Sequence, residues 1–433
     1  MACSCPQPFH RRTYRVIGLN IKARKRKKEI PYLSQHQKFD RMKIAFYTCI
    51  VLMTCACQQS KAPKATEKEP ALVEVEQVEN LLVDEAKYPL ESLKLPEGFS
   101  ISIFAEVPNA RSLARGSGGT IFVGNRGEDK VYALEDRNRD GRADARHIIA
   151  RGLNMPCGVA FYDGDLYVAE VSRLLRFDDI EENLSNPPKP VVVYDDYSTE
   201  THHGWKFIAF GPDNKLYVPV GAPCNICKSQ QEIYASITRM NPDGTDREVV
   251  AHGVRNTVGF DWNPLTKELW FTDNGRDMMG DDVPPCEINR LSHVGQHFGY
   301  PYCHGGDIPD PKYGNRRPCS DFVAPAQNLG AHVAPLGIRF YTGDMFPAEY
   351  RNQAIFCEHG SWNRSKKSGY KVAMLRIEKG REVNAYETLI EGWLNHDTQE
   401  QWGRPVDVLN MPDGAMLISD DYAGLVYRLT YSL

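Results

Sequence analysis

The chain has 433 residues, 42% of them hydrophobic and 25% charged, with 34 glycines and 28 prolines. It can bury a large core, and so many turn-formers favour short strands over long helices. A formal net charge of -4 gives no ground to expect nucleic acid as a partner, although "RRTYR" and "KARKRKK" crowd basic residues into the N-terminal segment.

That basic run reads as a solvated segment. Arg11-Arg12 is followed by no apolar run, which argues against a twin-arginine signal. After Met42 comes Lys43 and then the apolar run 44–53, too short to span a bilayer and the right length for the hydrophobic region of a signal peptide. Cys55 and Cys57 follow at once, and "LMTC" and "TCAC" both resemble the lipobox at which bacterial lipoproteins are cut and acylated. The expectation is a basic extension over 1–41, disordered or untranslated if synthesis starts at Met42. A lipoprotein-type signal peptide would cover 42–57 and a polar, disordered tether 58–90. The protein would then sit on the bacterial cell envelope, facing the periplasm or the outside, with a lipid anchor as its membrane attachment. A long basic n-region, or a buried apolar strand over 44–53, remains the alternative.

Of twelve cysteines, five lie in this segment and seven beyond it, an odd number, so at least one of the seven has no partner in the domain. Cys303 and Cys319 flank a Gly-, Pro- and Asp-rich stretch and are expected to staple it. "CNIC" at 224–227 lacks the histidine of a c-type haem site and has no second CxxC for zinc, which leaves a local disulfide or a redox pair.

From residue 91 onward one theme recurs: a turn rich in Gly, Asp or Asn, then a short apolar strand. Its copies are "GSGGTIFVGNRG", "YDGDLYVAE", "GPDNKLYVPVG", "LTKELWFTDNG", "RNQAIFCEHG" and "MPDGAMLISDD". Anchored on Ile121, Leu166, Leu216, Leu269, Ile355 and Met416, most steps are roughly 45 to 60 residues, the length of one four-stranded propeller blade. The longer step from Leu269 to Ile355 contains "HFGYPYCHGGDIPDPKYGNRRPCSDF" and reads as an inserted loop. The fold expected is an all-β, six-bladed β-propeller over 91–433, its last blade closed by "FSISIFAEV" at 99–107; a pair of sandwiches has no reason to show six similar units. In "DRNRDGRAD", Asp136, Asn138, Asp140 and Asp144 take positions 1, 3, 5 and 9 of an EF-hand-like loop, but the twelfth is His147. A polar hairpin is the leading reading, with structural calcium left open.

Polar clusters beside the repeated strands are the candidate site, because propellers bind ligands where inner-strand ends meet the channel. They are "HHGWKFIAFGP", "AHGVRNTVGFDWNP", "FTDNGRDMMGDDVPPCEINRL", and "HVAPLG" with "EHGSWNRSKKSGYKV", joined by "WGRPVDV". Singly, each has an ordinary explanation: a histidine before a strand is commonly a hydrogen-bonded loop residue, Arg-Asn caps turns, and Asp-rich loops are solvated. Together, at equivalent blade positions, they argue for one site.

These motifs, with "FGYPYCHGGD" and "HGSWNR", resemble the soluble quinoprotein glucose/sorbosone dehydrogenase family, most of all its sorbosone dehydrogenase-like branch, over about residues 90–433. The resemblance implies a propeller holding pyrroloquinoline quinone (PQQ) and Ca²⁺ over the channel mouth and oxidising a sugar at its aldehyde or lactol carbon. It implies that His203, nine positions before Pro212, is the general base, with His202 a loop residue. Arg255 and Asn256 would contact the quinone oxygens, and the main-chain carbonyls of Gly275 and Arg276 would ligate calcium. Arg404 and Arg364 would pair with PQQ carboxylates, and His332 and His359 would lie near the site. Arg276 stands where the glucose enzymes have proline, which a carbonyl ligand tolerates.

The residue types suit that chemistry. Arginine pairs with carboxylates in bidentate fashion, Ca²⁺ takes oxygen ligands, and histidine can accept a proton near neutral pH. No haem motif is present, so electrons are expected to leave to a separate acceptor. Two rival readings are a calcium-dependent propeller lactonase or hydrolase, which has no use for the arginines, and a non-catalytic carbohydrate-binding propeller.

Overall fold

Alternation of side chains across short strands builds the architecture. The computed structural model describes residues 77–79, 81 and 83–432, all within one compact unit. The basic extension, the signal segment with Cys55 and Cys57, and the tether up to residue 76 lie outside the described residues.

The chain forms a six-bladed β-propeller. Its innermost strands are Ala110–Arg115, Gly158–Tyr162, Ala209–Phe210, Phe260–Trp262, Pro335–Phe340 and Pro405–Asn410. Each pairs antiparallel with a second strand: Ile121–Asn125, Asp165–Ala169, Leu216–Val220, Leu269–Asp273, Ala354–Glu358 and Met416–Asp420. All six repeat anchors fall in these second strands, so the repeat period is the blade.

Most second strands are buried on both faces because each lies between two neighbouring blades. Successive residues therefore enter different cores. Ile121 and Val123 pack with Leu417 and Val426 of the last blade, while Phe122 packs with Val159, Leu166 and Val168 of the second. Leu269 and Phe271 join the third blade's Tyr217 and Ile237, while Trp270 joins the fifth blade's Phe340 and Phe356. The two-residue period of a strand is what lets one strand serve both sides. Backbones crowd at the channel: a Cβ on Gly259 would stand 2.2 Å from the carbonyl oxygen of Leu336.

The strand Phe99–Glu106 closes the ring, pairing from Phe99 with Tyr431 to Glu106 with Leu425 as the outermost strand of the last blade. The inserted segment leaves the fourth blade between its third and fourth strands. There Gln296–His297 adds a parallel strand to the third blade, and the Cys303–Cys319 disulfide forms. Cys224 and Cys227 form a local disulfide; Cys157, Cys286 and Cys357 are buried free thiols.

The tether does not run to residue 90 as expected. Gln77–Glu79 pairs with His147 to Ala145 on the outer edge of the first blade, Val83, Tyr88 and Leu90 pack on the core between the last two blades, and Tyr88 donates to Glu106 at 3.0 Å. Their irregular spacing gives no helix or strand period to detect. In "DRNRDGRAD", the Asp136 carboxylate accepts the N–H groups of Asp140 and Gly141 at 3.2 and 3.0 Å, and Asp144 those of Arg137 and Asn138 at 2.6 and 3.2 Å. These carboxylates cap their own turn, as in a polar hairpin.

Phe271 is fully buried between the third and fourth blades. Phe271→Ala should cost about 3–5 kcal/mol, seen as a lower denaturant midpoint at unchanged slope.

Candidate active site

Because inner and second strands are antiparallel, residues just ahead of an inner strand and just after a second strand meet at one mouth of the channel. The first set includes His203, Arg255, Asn256, His332 and Arg404; the second includes Arg126, Gly275, Arg276, His359 and Asp421. Beneath them Val258, Leu336 and Val406 form an apolar floor, with Trp205 against it.

His203 has a left-handed backbone, φ 53°, and lies against Gly221, where a Cβ would come within 2.6 Å of the His203 Cβ. Its Nδ1–H donates to the Ala222 carbonyl at 2.8 Å, which leaves Nε2 as the lone-pair nitrogen. Burial first, then the charges of Arg255 and His202, push its pKa down to about 2. His202 is exposed, its ring 4.1 Å from that of His203 between centroids. The adjacent pair is therefore unequal: one ring is oriented by a carbonyl, the other is a loop side chain.

Arg255 is 4% exposed. Its Nε and Nη2 donate to the carbonyl and Oδ1 of Asn225, each at 2.9 Å, Nη1 donates to the Asn274 carbonyl at 3.1 Å, and Nη2 also reaches Asp277 at 3.2 Å. The buried Asp273 carboxylate accepts the N–H groups of Arg255 and Asn256 at 2.8 and 2.6 Å, and burial raises its pKa to about 6. The side-chain amide of Asn256 has no hydrogen bond among the described residues.

The carbonyl oxygens of Gly275 and Arg276 accept no hydrogen bond among the described residues. The Arg276 side chain turns away to Asp310 at 2.5 Å, beside His304, so only the main chain of this residue is open to a ligand. Among the described residues no cluster of His, Cys, Asp and Glu could hold a metal ion.

Arg364 ties two mouth loops together, donating to the Asp281 carbonyl and to Asp282 at 2.9 Å; it is not a free cation. Arg404 donates to the carbonyls of His359 and Gly360 at 2.9 and 2.7 Å. His332 donates to the Gly280 carbonyl at 2.8 Å. His359 binds Asp421 at 2.8 Å, and burial lowers its pKa to about 4.

Three residues at this mouth carry no motif of their own. Arg111, almost fully buried, pairs with Asp421 at 2.7 Å. Burial raises and His359 and Arg111 lower the Asp421 pKa, and it ends well below the usual carboxylate range. Arg126 is exposed and lies over the Trp205 ring, 3.8 Å from its centroid. Although part of its side chain meets solvent, desolvation by the surrounding mouth and then the nearby Arg111 lower the pKa of Arg126, and burial and Arg111 lower that of Arg404. Desolvation is the larger cause of both shifts, and repulsion from Arg111 adds to it. Neither Arg126 nor Arg404 has a carboxylate within ion-pair distance among the described residues. Arg126 and Asp421 directly follow second strands, as Asn274 and His359 do, so aligning the repeats by position would have found them.

Comparison with known proteins extends this picture. The chain matches the family model described as "Domain of unknown function (DUF7133)" over residues 85–428. An uncharacterized protein of Borreliella burgdorferi is 34% identical over 357 residues, 78% of this chain and 91% of that one. The calcium structure of a Trichoderma reesei enzyme of carbohydrate-active family AA12 superposes with a TM-score of 0.70 at 19% identity, covering 78% of this chain and 97% of that one. The holo form of the pyranose dehydrogenase PQQ domain from Coprinopsis cinerea gives 0.68 at 18% identity, with 78% and 97% covered. At such identities the likeness is one of fold.

The His203 environment predicts its titration. Its folded-state pKa lies below the ordinary 6.5, so the unfolded chain takes the proton first, and His203 costs stability as pH falls below that value. His203→Asn should flatten the acid slope of stability. Arg255→Met should move the His203 pKa upward, read from NMR titration of labelled histidine; an unmoved pKa would show that Arg255 is not the charge that depresses it.

Proposed function

This chain belongs to the DUF7133 family, a domain of unknown function, and we propose that its propeller oxidises a sugar at an aldehyde or lactol carbon, using PQQ and Ca²⁺. The observation that carries the reading is the pairing, at one mouth, of an oriented neutral histidine with arginines, Arg126 and Arg404, that have no carboxylate partner among the described residues. The fold neighbours that include a calcium structure and a PQQ domain support it.

The residues present suit both groups. Arg126 and Arg404 offer guanidinium to a polycarboxylate. The open carbonyls of Gly275 and Arg276 suit a hard cation, which would take its remaining oxygens from the quinone itself. When bound, the quinone supplies a two-electron acceptor for hydride. The protein's own part is positioning and proton transfer. His203 Nε2 accepts the proton of the reacting hydroxyl, while its Nδ1–H keeps the bond to Ala222. A pKa of about 2 keeps the ring neutral and ready, yet it departs from the near-neutral value that best suits a general base. Burial is the larger cause of that depression, and a polyanion bound at Arg255 and Arg126 would offset only the part due to their charge. Asn256 presents a free amide beside it, and the apolar floor of Val258, Leu336 and Val406 closes the channel below.

A hydrolase would use acidic ligands for metal-bound water, whereas Asp273, Asp277 and Asp421 at this mouth are engaged by Arg255, Asn256, Arg111 and His359. The proposal also includes membership of the sorbosone-like branch, transfer of electrons to a separate carrier, and a lipid anchor on Cys55 or Cys57 at the cell envelope. The mass of the native N-terminal peptide tests that anchor.

Reconstitution of the purified protein with PQQ and Ca²⁺ should give sugar-dependent dye reduction that chelation abolishes. His203→Asn should lower turnover by about 10² to 10⁴ while PQQ still binds, and His202→Asn should lose far less. Equal losses in the two variants would remove His203 from the role of base, and PQQ binding without turnover on any sugar would favour a non-catalytic carbohydrate-binding propeller.

A further inference from the structure

We infer that the turn 222–227, closed on itself by the Cys224–Cys227 disulfide, is the positioning element for both His203 and Arg255, so that the redox state of this disulfide decides whether the mouth is assembled. The inference rests on the roles given to His203 and Arg255 above.

The turn touches both residues. Ala222 accepts Nδ1–H of His203 at 2.8 Å and donates its own N–H to the Arg255 carbonyl at 2.8 Å. It thereby sets the histidine tautomer and the backbone path of the arginine. Three residues on, Asn225 takes two edges of the Arg255 guanidinium, through its carbonyl and its Oδ1, at 2.9 Å each. The same Oδ1 accepts the Asp277 N–H at 2.8 Å, and Nδ2 donates to the Asp277 carbonyl at 3.0 Å. One asparagine thus also holds the loop that carries Gly275 and Arg276.

Asn225 has little else to hold it. Residues 221–235 connect the second and third strands of their blade without any strand of their own, whereas the equivalent link in the preceding blade is only 170–173. A link that long needs pinning. The disulfide supplies it by placing Asn225 inside a four-residue ring. Tyr300 supports the ring from outside: its hydroxyl accepts the Cys227 N–H at 3.0 Å and lies 3.5 Å from the Cys224 sulfur.

The bond is reachable. Cys224 and Cys227 are only half-buried, and a cavity of about 220 Å³ opens on the outer side of the turn, lined by Ala222, Pro223, Cys227, Tyr234, His297 and Tyr300. In the other disulfide Cys303 is buried and Cys319 half-buried, so one of its two sulfurs is shielded. An external dithiol can therefore attack one sulfur, breaking the S–S bond and forming a mixed disulfide that its second thiol resolves. Cys224 and Cys227 gain two electrons and two protons, and the reductant leaves as a disulfide. The ring opens, Asn225 loses its fixed place, and Arg255 loses its two-edged clamp.

The test uses the full chain, treated with graded dithiothreitol. Alkylation and peptide mass spectrometry identify the state in which only Cys224 and Cys227 are reduced. In that state phenylglyoxal labelling of Arg255 should rise several-fold and the fixed Nδ1–H tautomer of His203 should be lost by NMR, and both should reverse on reoxidation. In protein loaded with PQQ and Ca²⁺, kcat should fall roughly 10²-fold, the scale expected when a reacting group is misplaced by about 1 Å. The Cys224→Ser/Cys227→Ser variant should match the reduced protein in either redox state, and Asn225→Ala should expose Arg255 with the disulfide intact. Arg255 labelling and a His203 tautomer that do not change on reduction, at an unchanged unfolding midpoint, would overturn the inference. If no sugar is turned over in either state, the labelling and tautomer still decide it, and only the proposed activity fails.

Discussion

Burial of the second strands on both faces is the constraint on which the molecule depends. Five of the six read as unbroken buried runs, so no polar side chain can be spent along their length without a partner. Chemistry is pushed to their ends. There the chain must turn, and residues from five of the six blades converge around one channel. The apolar floor beneath the mouth belongs to the same logic, since Leu336 and Val406 come from the fifth and sixth inner strands and Val258 from just ahead of the fourth.

At that mouth the charges are not balanced pairwise. Asp421 serves Arg111 and His359 together, and Asp277 serves Arg255. Arg126 and Arg404 rest on an aromatic ring and on carbonyls. Guanidiniums gathered at one mouth in this way make a positive field that favours an anion. Burial, and then the charge of Arg255, keep His203 neutral.

The parts of this arrangement that are periodic were legible in the sequence. Six turn-and-strand units give six blades, and the gap between Leu269 and Ile355 gives an insertion, because strand period and blade length are local properties. His203, Arg255, Asn256, Gly275 and Arg404 stand in local motifs as well. Arg111 does not: its partner Asp421 is 310 residues away, and although Asp421 holds the repeat position after a second strand, nothing local pairs the two before ring closure. Arg364 fits a cationic motif, yet it spends its charge on Asp282, a partner that only loop packing supplies. The start of the domain was set too late because Val83, Tyr88 and Leu90 follow no period. "CNIC" left a disulfide and a redox pair open; the folded turn shows a disulfide holding the asparagine that clamps Arg255.

The central claim is that this mouth binds a polycarboxylate quinone through its unpaired arginines. Calorimetric titration of PQQ into the calcium-loaded protein tests it most directly, in the wild type and in Arg126→Ala and Arg404→Ala. The account predicts one saturable site per chain, weakened in both variants. Absence of binding to the wild type, or binding that both variants retain in full, would contradict it.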